Sequence, residues 1–377
     1  VGSDPVIKIR GAVASITGSS SPLILLDNVE IPSILYVNPD DVESITVLKD
    51  AAASSIYGAK AATGVVLITT KTEAAGKPSI NYSNNFSFQN PYKKFEMGTI
   101  NALKYSVDAL ERVGGTVYGA FYALDKASYE KALEWENKYG GKLGPNDPTV
   151  YGRDWFVDPA FPGRKYGLRT YDPYEYMIRE WAPTKTHNFS VNGTSGKTKY
   201  STSFAAVDQS GMIKPGNSDN FTRYNAGLRL STDLTDYLTI RGGMLYSQRI
   251  KSYPYATNST TADPWLYIYR WSSLYPMGYD ELGKPIRSPW SENEFANKAA
   301  MKRNYINANV GTTLQLKSNW KVDVDYTFTN EDYKWNRNGT RFTGANSWVA
   351  PRERKDANGN PVYVNSDGQV VAAGSPG

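Results

Sequence analysis

The sequence contains no cysteine and a single histidine among its 377 residues. The lack of cysteine excludes a disulfide framework, a thiolate zinc site and a cysteine nucleophile within this chain. A zinc motif built on two histidines is excluded as well, and a Ser-His-Asp triad would depend on His187. That residue lies in the alternating run Lys185-Thr186-His187-Asn188-Phe189, which predicts the start of a strand. We find no nucleophile, metal or phosphate motif, so we expect neither an enzyme nor a cofactor.

Long apolar runs are also missing. No segment approaches the roughly 20 consecutive apolar residues that a membrane-spanning helix needs, and the mean hydropathy is −0.50. A transmembrane β-barrel is not excluded, because its strands alternate apolar and polar residues and average to a low hydropathy. The 42 Lys and Arg residues are interspersed among 37 Asp and Glu residues. Without a basic block, we expect no nucleic-acid partner.

The first 75 residues contain short apolar runs rich in β-branched residues. These runs predict strands at residues 6–10, 22–27, 42–48 and 64–70, of which the near-continuous apolar ones should be buried on both faces. Residues 49–58 are rich in alanine and close with Gly58, which predicts a short helix with a C′ glycine. Together these elements predict a small α+β unit over residues 1–75.

From Ser79 onward the pattern changes to strands of about ten residues with period two. In residues 322–329, Val322 and Val324 share one face with the aromatic residues, while Asp323 and Asp325 share the other. A tight turn at Ser195-Gly196-Lys197 predicts a hairpin. About seven such strands are predicted, at residues 80–88, 188–192, 200–205, 224–231, 238–247, 306–316 and 322–329.

The connections between these strands alternate in length. Short ones span 192–199, 231–237 and 316–321, and long ones span 89–186, 208–222 and 248–304. This alternation is typical of outer-membrane barrels, which have short periplasmic turns and long extracellular loops. The longest insertion carries helical patterns at 101–113 and 126–139 with narrow apolar stripes, which predict helices lying on a surface. Residues 76–377 are therefore predicted to form part of a large antiparallel transmembrane β-barrel.

Strand number sets a further expectation. A barrel of eight strands is filled by its own side chains, whereas barrels of about 22 strands hold a plug in the lumen. Seven strands cannot enclose residues 1–75, and neither end of the chain has the composition of a targeting signal or a completed domain. We therefore expect the chain to be a segment of a longer protein.

Four stretches carry a resemblance to a known family. They are IKIRG at 7–11, PLILLDNV at 22–29, NPDDVESITVLKDA at 38–51 and SIYGAKAATGVVLITTK at 55–71. Together they resemble the end of the plug domain of SusC/RagA-type TonB-dependent outer-membrane transporters, and the likeness extends to about residue 110. The resemblance implies a plug signature at Arg10, Gly11, Asp27, Asn28, Glu43, Lys49, Asp50, Tyr57, Gly58 and Gly64.

Two departures from the family pattern are visible. The usual Asp-Gly is Asp27-Asn28 here, and Asn also tolerates a left-handed conformation. The usual Ser-Arg-Gly-Ala-Asn-Gly is replaced at residues 59–64 by a segment that keeps a cation and the last glycine. The resemblance implies a bacterial outer-membrane protein of the Bacteroidota, a SusD-like surface lipoprotein partner, and the TonB complex with ExbB and ExbD. The TonB box that would bind this complex is expected outside the chain.

Two groups of residues are candidates for contact with the lumen or a ligand. Arg229, Arg241, Asp323 and Asp325 lie on polar strand faces, which a closed barrel turns inward because a lipid-facing Arg would cost roughly 2–4 kcal/mol. The second group is aromatic, lies in the 248–304 loop, and could stack on sugar rings or pack a partner protein. Its members are Trp265, Tyr267, Tyr269, Trp271 and Tyr275. An aromatic girdle or a self-packed loop explains this group equally well.

The leading hypothesis is TonB-dependent import of an oligosaccharide or oligopeptide through a plugged barrel embedded in outer-membrane lipid. The alternative is a soluble all-β glycan-binding protein whose Tyr and Trp loops hold sugar. A third group of residues, Asp40, Asp41 and Glu43, clusters in the plug signature. We interpret these carboxylates as plug ion pairs and caps rather than as acid/base catalysts.

Overall fold

The computed structural model describes residues 5, 7, 9, 21–49, 57–61, 63–71, 78–94, 96–114, 117–118, 123–157, 165–214, 219–255, 264–295, 297–317, 319–337, 353–355, 358–364 and 370–371. Its strands form an N-terminal four-stranded sheet, a seven-stranded sheet and two further sheets of four and three short strands. The predicted strand at 6–10 and helix at 49–58 fall largely outside the described residues. No described helix combines the length and apolarity needed to cross a membrane.

The N-terminal sheet is built from strands β1 (Leu23–Leu26), β2 (Val29–Glu30), β3 (Val42–Leu48) and β4 (Val65–Thr70) in the order β2-β1-β4-β3. Strand β1 pairs parallel with β4, and β3 pairs antiparallel with it. Central strand β4 is buried over most of its length, as its continuous apolar run predicts. Three strand predictions in this unit are thus confirmed.

Several backbone positions in this unit have positive φ. Asp27 and Asn28 form the β1–β2 turn with φ of 47° and 70°, a conformation that Asp and Asn tolerate better than other side chains. Gly64 precedes β4 at φ 102°, and a Cβ there would lie 2.7 Å from Cδ1 of Ile9. The sequence places a glycine where both backbone conformation and packing exclude a side chain.

The seven-stranded sheet is an antiparallel meander in which each strand pairs with its neighbour in the chain. All seven predicted strands are present, but they are 11 to 21 residues long instead of about ten. The strands are longer than predicted because their pairing continues beyond the segments of apolar alternation, into polar sequence. The strands are β5 (Ser79–Gln89), β10 (Ala182–Ser195), β11 (Thr198–Ser210), β12 (Asn220–Thr235), β13 (Leu238–Tyr255), β14 (Asn297–Lys317) and β15 (Trp320–Arg337).

The two faces of this sheet differ in polarity. On the outward face of β15, Val322, Val324 and Phe328 are exposed, and apolar residues continue from Trp320 to Phe328. The eight steps from Trp320 to Phe328 at about 3.4 Å each make a band about 27 Å long along the strand. A tilt of roughly 40° reduces this length to about 21 Å of height, close to the apolar band of roughly 25 Å of an outer-membrane barrel. Soluble proteins rarely expose an apolar face of this extent, which disfavours the soluble glycan-binding alternative.

The connections alternate in length as predicted. At one end, Ser195 pairs directly with Thr198 across a turn whose Gly196 has φ of 60°, and the next short turn joins β12 to β13. At the other end, long connections join β5 to β10, β11 to β12 and β13 to β14. All long connections therefore leave from one end of the sheet.

The long connections fold into a body of their own beyond the end of the sheet. Helices α1 (Ile100–Glu111) and α2 (Lys126–Tyr139) match the two predicted helical patterns and pack together through Ile100, Val107 and Trp135. The remaining elements of this body are β6 (Val117–Tyr118), β7 (Ala123–Leu124), β8 (Trp155–Val157), β9 (Lys165–Gly167), α3 (Pro173–Met177), α4 (Pro264–Arg270) and α5 (Pro289–Phe295). Short strands β16 (Glu353–Lys355), β17 (Pro361–Val364) and β18 (Val370–Val371) form a separate sheet.

Candidate functional site

The inner face of the seven-stranded sheet presents rows of small polar side chains. Direct register partners run across all seven strands, so one residue from each strand lies in the same row. The middle row consists of Asn81, Ser190, Ser203, Gly227, Leu245, Asn307 and Thr329. The N-terminal unit contacts this face, as the alternation of the strands predicts.

Hydrogen bonds join the 3₁₀ turn Pro39–Asp41, just before β3, to the inner face. Asp41 accepts a short hydrogen bond from Ser203 Oγ. Asp40 Oδ2 accepts one from Ser83 Oγ at 2.7 Å. Nearby, Asn225 Nδ2 donates to the carbonyl oxygen of Leu35 at 3.1 Å. Burial raises the pKa of Asp41, while the Ser203 hydrogen bond and Arg229 act in the opposite direction.

A buried tyrosine of the N-terminal unit contacts three strands of the sheet. Tyr36 stacks on Tyr305 with ring centroids 4.3 Å apart. Its hydroxyl donates to Glu331 Oε1 at 2.9 Å and accepts from Arg249 Nη2 at 2.8 Å. The guanidinium of Arg249 also lies 4.5 Å from the centre of the Tyr36 ring. Burial raises the pKa of Tyr36 to about 12, so the hydroxyl stays protonated and keeps both hydrogen bonds.

Of the four charged lumen candidates, Arg229 contacts the N-terminal unit. Its Nε lies 3.4 Å from Asp27 Oδ2, and Asp27 also accepts hydrogen bonds from the backbone N–H and Oγ1 of Thr70 at 2.9 and 2.7 Å. This arrangement fixes the β1–β2 turn against both β4 and the seven-stranded sheet, which is called the wall below. Arg229 therefore lies on the face of β12 that the N-terminal unit contacts.

The other three charged candidates form ion pairs with one another. Arg241 contacts Asp323 at 3.4 Å and Asp325 at 2.9 Å, linking β13 to β15 across β14. All four charged candidates line one cavity of about 970 Å³ between the β1–β2 turn and the wall. Contact of these residues with a ligand stays a prediction.

The plug-signature residues fall into three groups. Asp27, Asn28, Gly58 and Gly64 adopt positive φ and shape turns, and Tyr57 packs against the small core of Leu25, Ala61 and Val65. Glu43 and Lys49 are exposed at the two ends of β3. Arg10, Gly11 and Asp50 lie outside the described residues.

The aromatic candidates lie in the body formed by the long connections. Trp271 and Tyr275 are buried with Trp155, Tyr171 and Met277, and Tyr267 packs against this cluster. Tyr269 keeps 62% of its surface exposed, and the side chain of Trp265 is outside the description. Burial of these rings favours the self-packed loop among the alternatives for this group, and ligand contact stays a prediction for Tyr269.

Sequence reasoning did not single out Tyr36, Arg249, Ser203 or Asn225. Arg249 lies beyond the predicted end of its strand at residue 247, and Tyr36 lies in a 3₁₀ turn at Ile34–Tyr36 with no periodic pattern. The signal that could have found Arg249 is the continued alternation of Ser247, Arg249 and Lys251 on the polar face.

Comparisons with known proteins place these features in context. A family model described as the TonB-dependent Receptor Plug Domain matches residues 1–65. TonB-dependent receptor P39 of Formosa agariphila is 44% identical over 63% of this chain and 19% of its own length. TonB-dependent receptor SusC of Bacteroides thetaiotaomicron is 28% identical over 60% of this chain and 18% of its own length. TonB-dependent receptor P26 of Formosa agariphila is 28% identical over 79% of this chain.

Among solved structures, that of the RagAB peptide transporter superposes with a TM-score of 0.57 and 22% identity, covering 88% of this chain and 37% of the other. The RagAB importer in its closed-closed state gives a TM-score of 0.54 at 21% identity, covering 84% of this chain and 35% of the other. The chain spans about a quarter or less of the length of the curated relatives described above. These structures share its fold, a barrel wall with a plug.

Proposed function

Since this chain is of the SusC/RagA type of TonB-dependent transporter, we propose that it forms the plug and part of the barrel wall of an importer in the outer membrane of a Bacteroidota bacterium. The imported ligand is an oligosaccharide or oligopeptide too large for a porin. Import moves the ligand past the plug and requires no covalent step. The likeness to the RagAB structures, which are described as a peptide transporter and a peptide importer, supports the peptide part of this range.

The observation that carries this proposal is the polar character of the contact between plug and wall. Ser203 with Asp41, Ser83 with Asp40, and Arg229 with Asp27 are hydrogen bonds or ion pairs between groups that water can also solvate. Each bond to a carboxylate contributes about 1.5–3 kcal/mol, so such contacts can break one at a time when the plug is pulled. Among the described residues, Tyr305 and Leu245 of the wall add an apolar part to this contact.

Energy for this movement would come from the TonB complex, pulling from the periplasmic side where the short turns lie. The body formed by the long connections lies at the opposite end, where the ligand arrives. A SusD-like lipoprotein would cover that end and share capture of the ligand. Its proposed seat is the surface of this body, which includes exposed Tyr269.

A reversible tether between plug and wall tests the proposal. In the full-length protein, Asp41→Cys with Ser203→Cys joins the plug to β11, at a contact that is already a direct hydrogen bond. The chain contains no other cysteine. We expect oxidised cells to lose TonB-dependent uptake of the ligand and to regain it on reduction.

The matched control shares one of the two substitutions. Ser190→Cys with Ser203→Cys joins β10 to β11 within the wall, because these serines are direct register partners. This pair should leave uptake unchanged whether oxidised or reduced. Uptake that persists through an oxidised Asp41–Ser203 tether, or that is independent of TonB, would contradict the proposal.

A further inference from the structure

A buried carboxylate lies at the end of the wall where the long connections leave. Asp219, directly before β12, keeps only 9% of its surface exposed. Within the described part of the chain, no hydrogen bond or ion pair engages its carboxylate, although its backbone carbonyl accepts from the Gly211 N–H at 2.5 Å. Burying an ionised carboxylate is costly unless hydrogen-bond donors or a cation compensate it. The described residues therefore leave the acceptor capacity of Asp219 unused.

The fold makes room for this carboxylate. A Cβ on Gly211 would overlap Oδ2 of Asp219, so the carboxylate lies where only a glycine neighbour fits. The residues after Gly211 are anchored to the body formed by the long connections. There, the Arg179 N–H donates to the carbonyl oxygen of Met212 at 2.8 Å, and Ile213 forms an antiparallel bridge with Ile178. Asp219 is thus held in place from the side of the connection between β11 and β12.

Asp219 lines a cavity of about 460 Å³ between this connection and the wall, a size within the range of about 300–1,000 Å³ of ligand pockets. Polar and apolar side chains share the rest of the lining: Gln89, Met212, Ile213, Lys251, Tyr253 and Met301. Lys251 and Tyr253 follow Arg249 by two and four residues on the same face of β13. The cavity therefore lies beyond the Tyr36 contact, at the end where the ligand arrives.

A second aromatic residue orients Tyr253 in this lining. The hydroxyl of Tyr253 accepts a hydrogen bond from Trp335 Nε1 at 2.9 Å. Trp335 reaches it across β14, where the small side chain of Ala299 is the register partner of Tyr253. A tyrosine hydroxyl both accepts and donates, and no described acceptor takes the proton of this one. Tyr253 is therefore fixed in orientation with its own O–H still able to donate.

The charged residues of the lining have opposite signs. Asp219 and Lys251 face the same cavity, and no ion pair joins them. A net anion would meet the buried carboxylate, and a net cation would meet Lys251. A hydroxyl group is both a donor and an acceptor, so neighbouring hydroxyls of one neutral ring can donate to Asp219 and accept from Lys251. The C–H groups of such a ring can pack against Met212 and Met301.

We propose that this cavity is a subsite for a neutral sugar ring of the imported oligomer, with Asp219 as its main hydrogen-bond acceptor. The inference rests on the proposed import function and narrows the substrate class to neutral oligosaccharides. Within a peptide chain each amide offers one donor and one acceptor at fixed spacing. Only a free terminus of a peptide without charged side chains would supply a full charge for Asp219 or Lys251.

Neutral tetrasaccharides and tetrapeptides without charged side chains test this subsite. Binding to the full-length protein in detergent is measured by calorimetry with maltotetraose, cellotetraose, xylotetraose, mannotetraose, tetraalanine and tetraglutamine. We expect at least one tetrasaccharide to bind more tightly than both peptides. Asp219→Asn should weaken binding of that tetrasaccharide about tenfold, because hydrogen bonds to an ionised acceptor are roughly twice as strong as neutral ones.

The stability of the same variant separates ligand binding from a structural role. Asp219→Asn removes the cost of burying a charge, so the melting temperature of the ligand-free protein should rise. Loss of stability together with loss of binding would show a structural role and overturn the inference. The matched control is Asp208→Asn. Asp208 lies on the outward face of β11, where it accepts a hydrogen bond from Asn220 Nδ2 at 2.8 Å, and this variant should leave binding unchanged.

Three other results overturn the inference: no tetrasaccharide binds, a peptide binds more tightly than all of them, or Asp219→Asn leaves the affinity unchanged. TonB-dependent uptake of the same oligomers in whole cells tests the proposed function separately. If uptake of a peptide depends on the protein and on TonB while no tetrasaccharide binds, this inference alone fails. If deletion of the parent gene leaves uptake of every oligomer unchanged, the proposed function fails with it.

Discussion

Removing one oxygen atom from Tyr36 should loosen the plug. The Tyr36→Phe substitution keeps the stacked ring on Tyr305 but removes the hydroxyl that bridges Arg249 and Glu331. Tyr36 is fully buried, so water does not replace the lost hydrogen bonds directly. Both partners are charged side chains of the wall, and each loses a contact with the plug.

The expected size follows from these contacts. A hydrogen bond to a charged group contributes about 1.5–3 kcal/mol, and two are lost. The cation–π contact between Arg249 and the ring is present in both proteins and does not change the difference. We therefore expect the free energy of local opening of the plug to fall by about 3–6 kcal/mol, which corresponds to roughly 150- to 25,000-fold more frequent opening.

Amide hydrogen exchange of the full-length protein measures this change. Exchange of the β1 and β4 amides should accelerate by that factor in Tyr36→Phe. Tyr224→Phe makes the same chemical change on the outward face of β12, where the ring is exposed, and should leave plug exchange unchanged. Equal exchange rates in the Tyr36→Phe variant and the unmodified protein would refute the view that this hydroxyl holds the plug to the wall.

Three further predictions concern the plug and the body formed by the long connections. Gly64→Ala should destabilise the plug in a thermal melt by more than Gly58→Ala, because both have positive φ but only Gly64 lacks room for a Cβ; equal losses would contradict this. Asp154→Asn should cost about 3–5 kcal/mol of loop-body stability, because it leaves buried Arg169 without its charge partner, and limited proteolysis should detect it. Burial raises the pKa of Tyr176 to about 12, so its contribution to stability is complete below pH 10 and is lost as the pH rises toward 12. Near-ultraviolet circular dichroism should follow that loss, with a shallower decline in Tyr176→Phe.

The wall was predictable because alternation is local. Neighbouring residues of a strand point to opposite faces, so the apolar Val324 beside the charged Asp325 identifies both faces of β15. The register between strands then follows from tight turns such as the one at Gly196. Strand ends were not predictable in the same way. Beyond Ser247 polar residues such as Gln248 and Ser252 also occupy outward positions, so the contrast between the faces weakens although the strand continues to Tyr255.

For the contact between plug and wall, the sequence predicts which face of the wall is involved but not which residues pair across it. Alternation indicates that Arg229 points inward, but its partner Asp27 lies about 200 residues earlier in the chain and belongs to a different sheet. Tyr36, Arg249 and Glu331 meet only after three distant segments are assembled. The aromatic loop residues show the same limit, since burial of Trp271 depends on contacts with the earlier loop that carries Trp155.

The most direct test of the central claim compares two adjacent residues of β15. Spin labels are placed at Val324→Cys or Asp325→Cys in the full-length protein in lipid bilayers, and their relaxation by oxygen and by a water-soluble nickel complex is measured. Val324 is 60% exposed on the apolar face, whereas Asp325 pairs with Arg241 beside the inner cavity. The account predicts that oxygen relaxes the label at 324 and the nickel complex relaxes the label at 325. Equal access of the nickel complex to both positions would show that this strand is not the wall of a plugged membrane barrel.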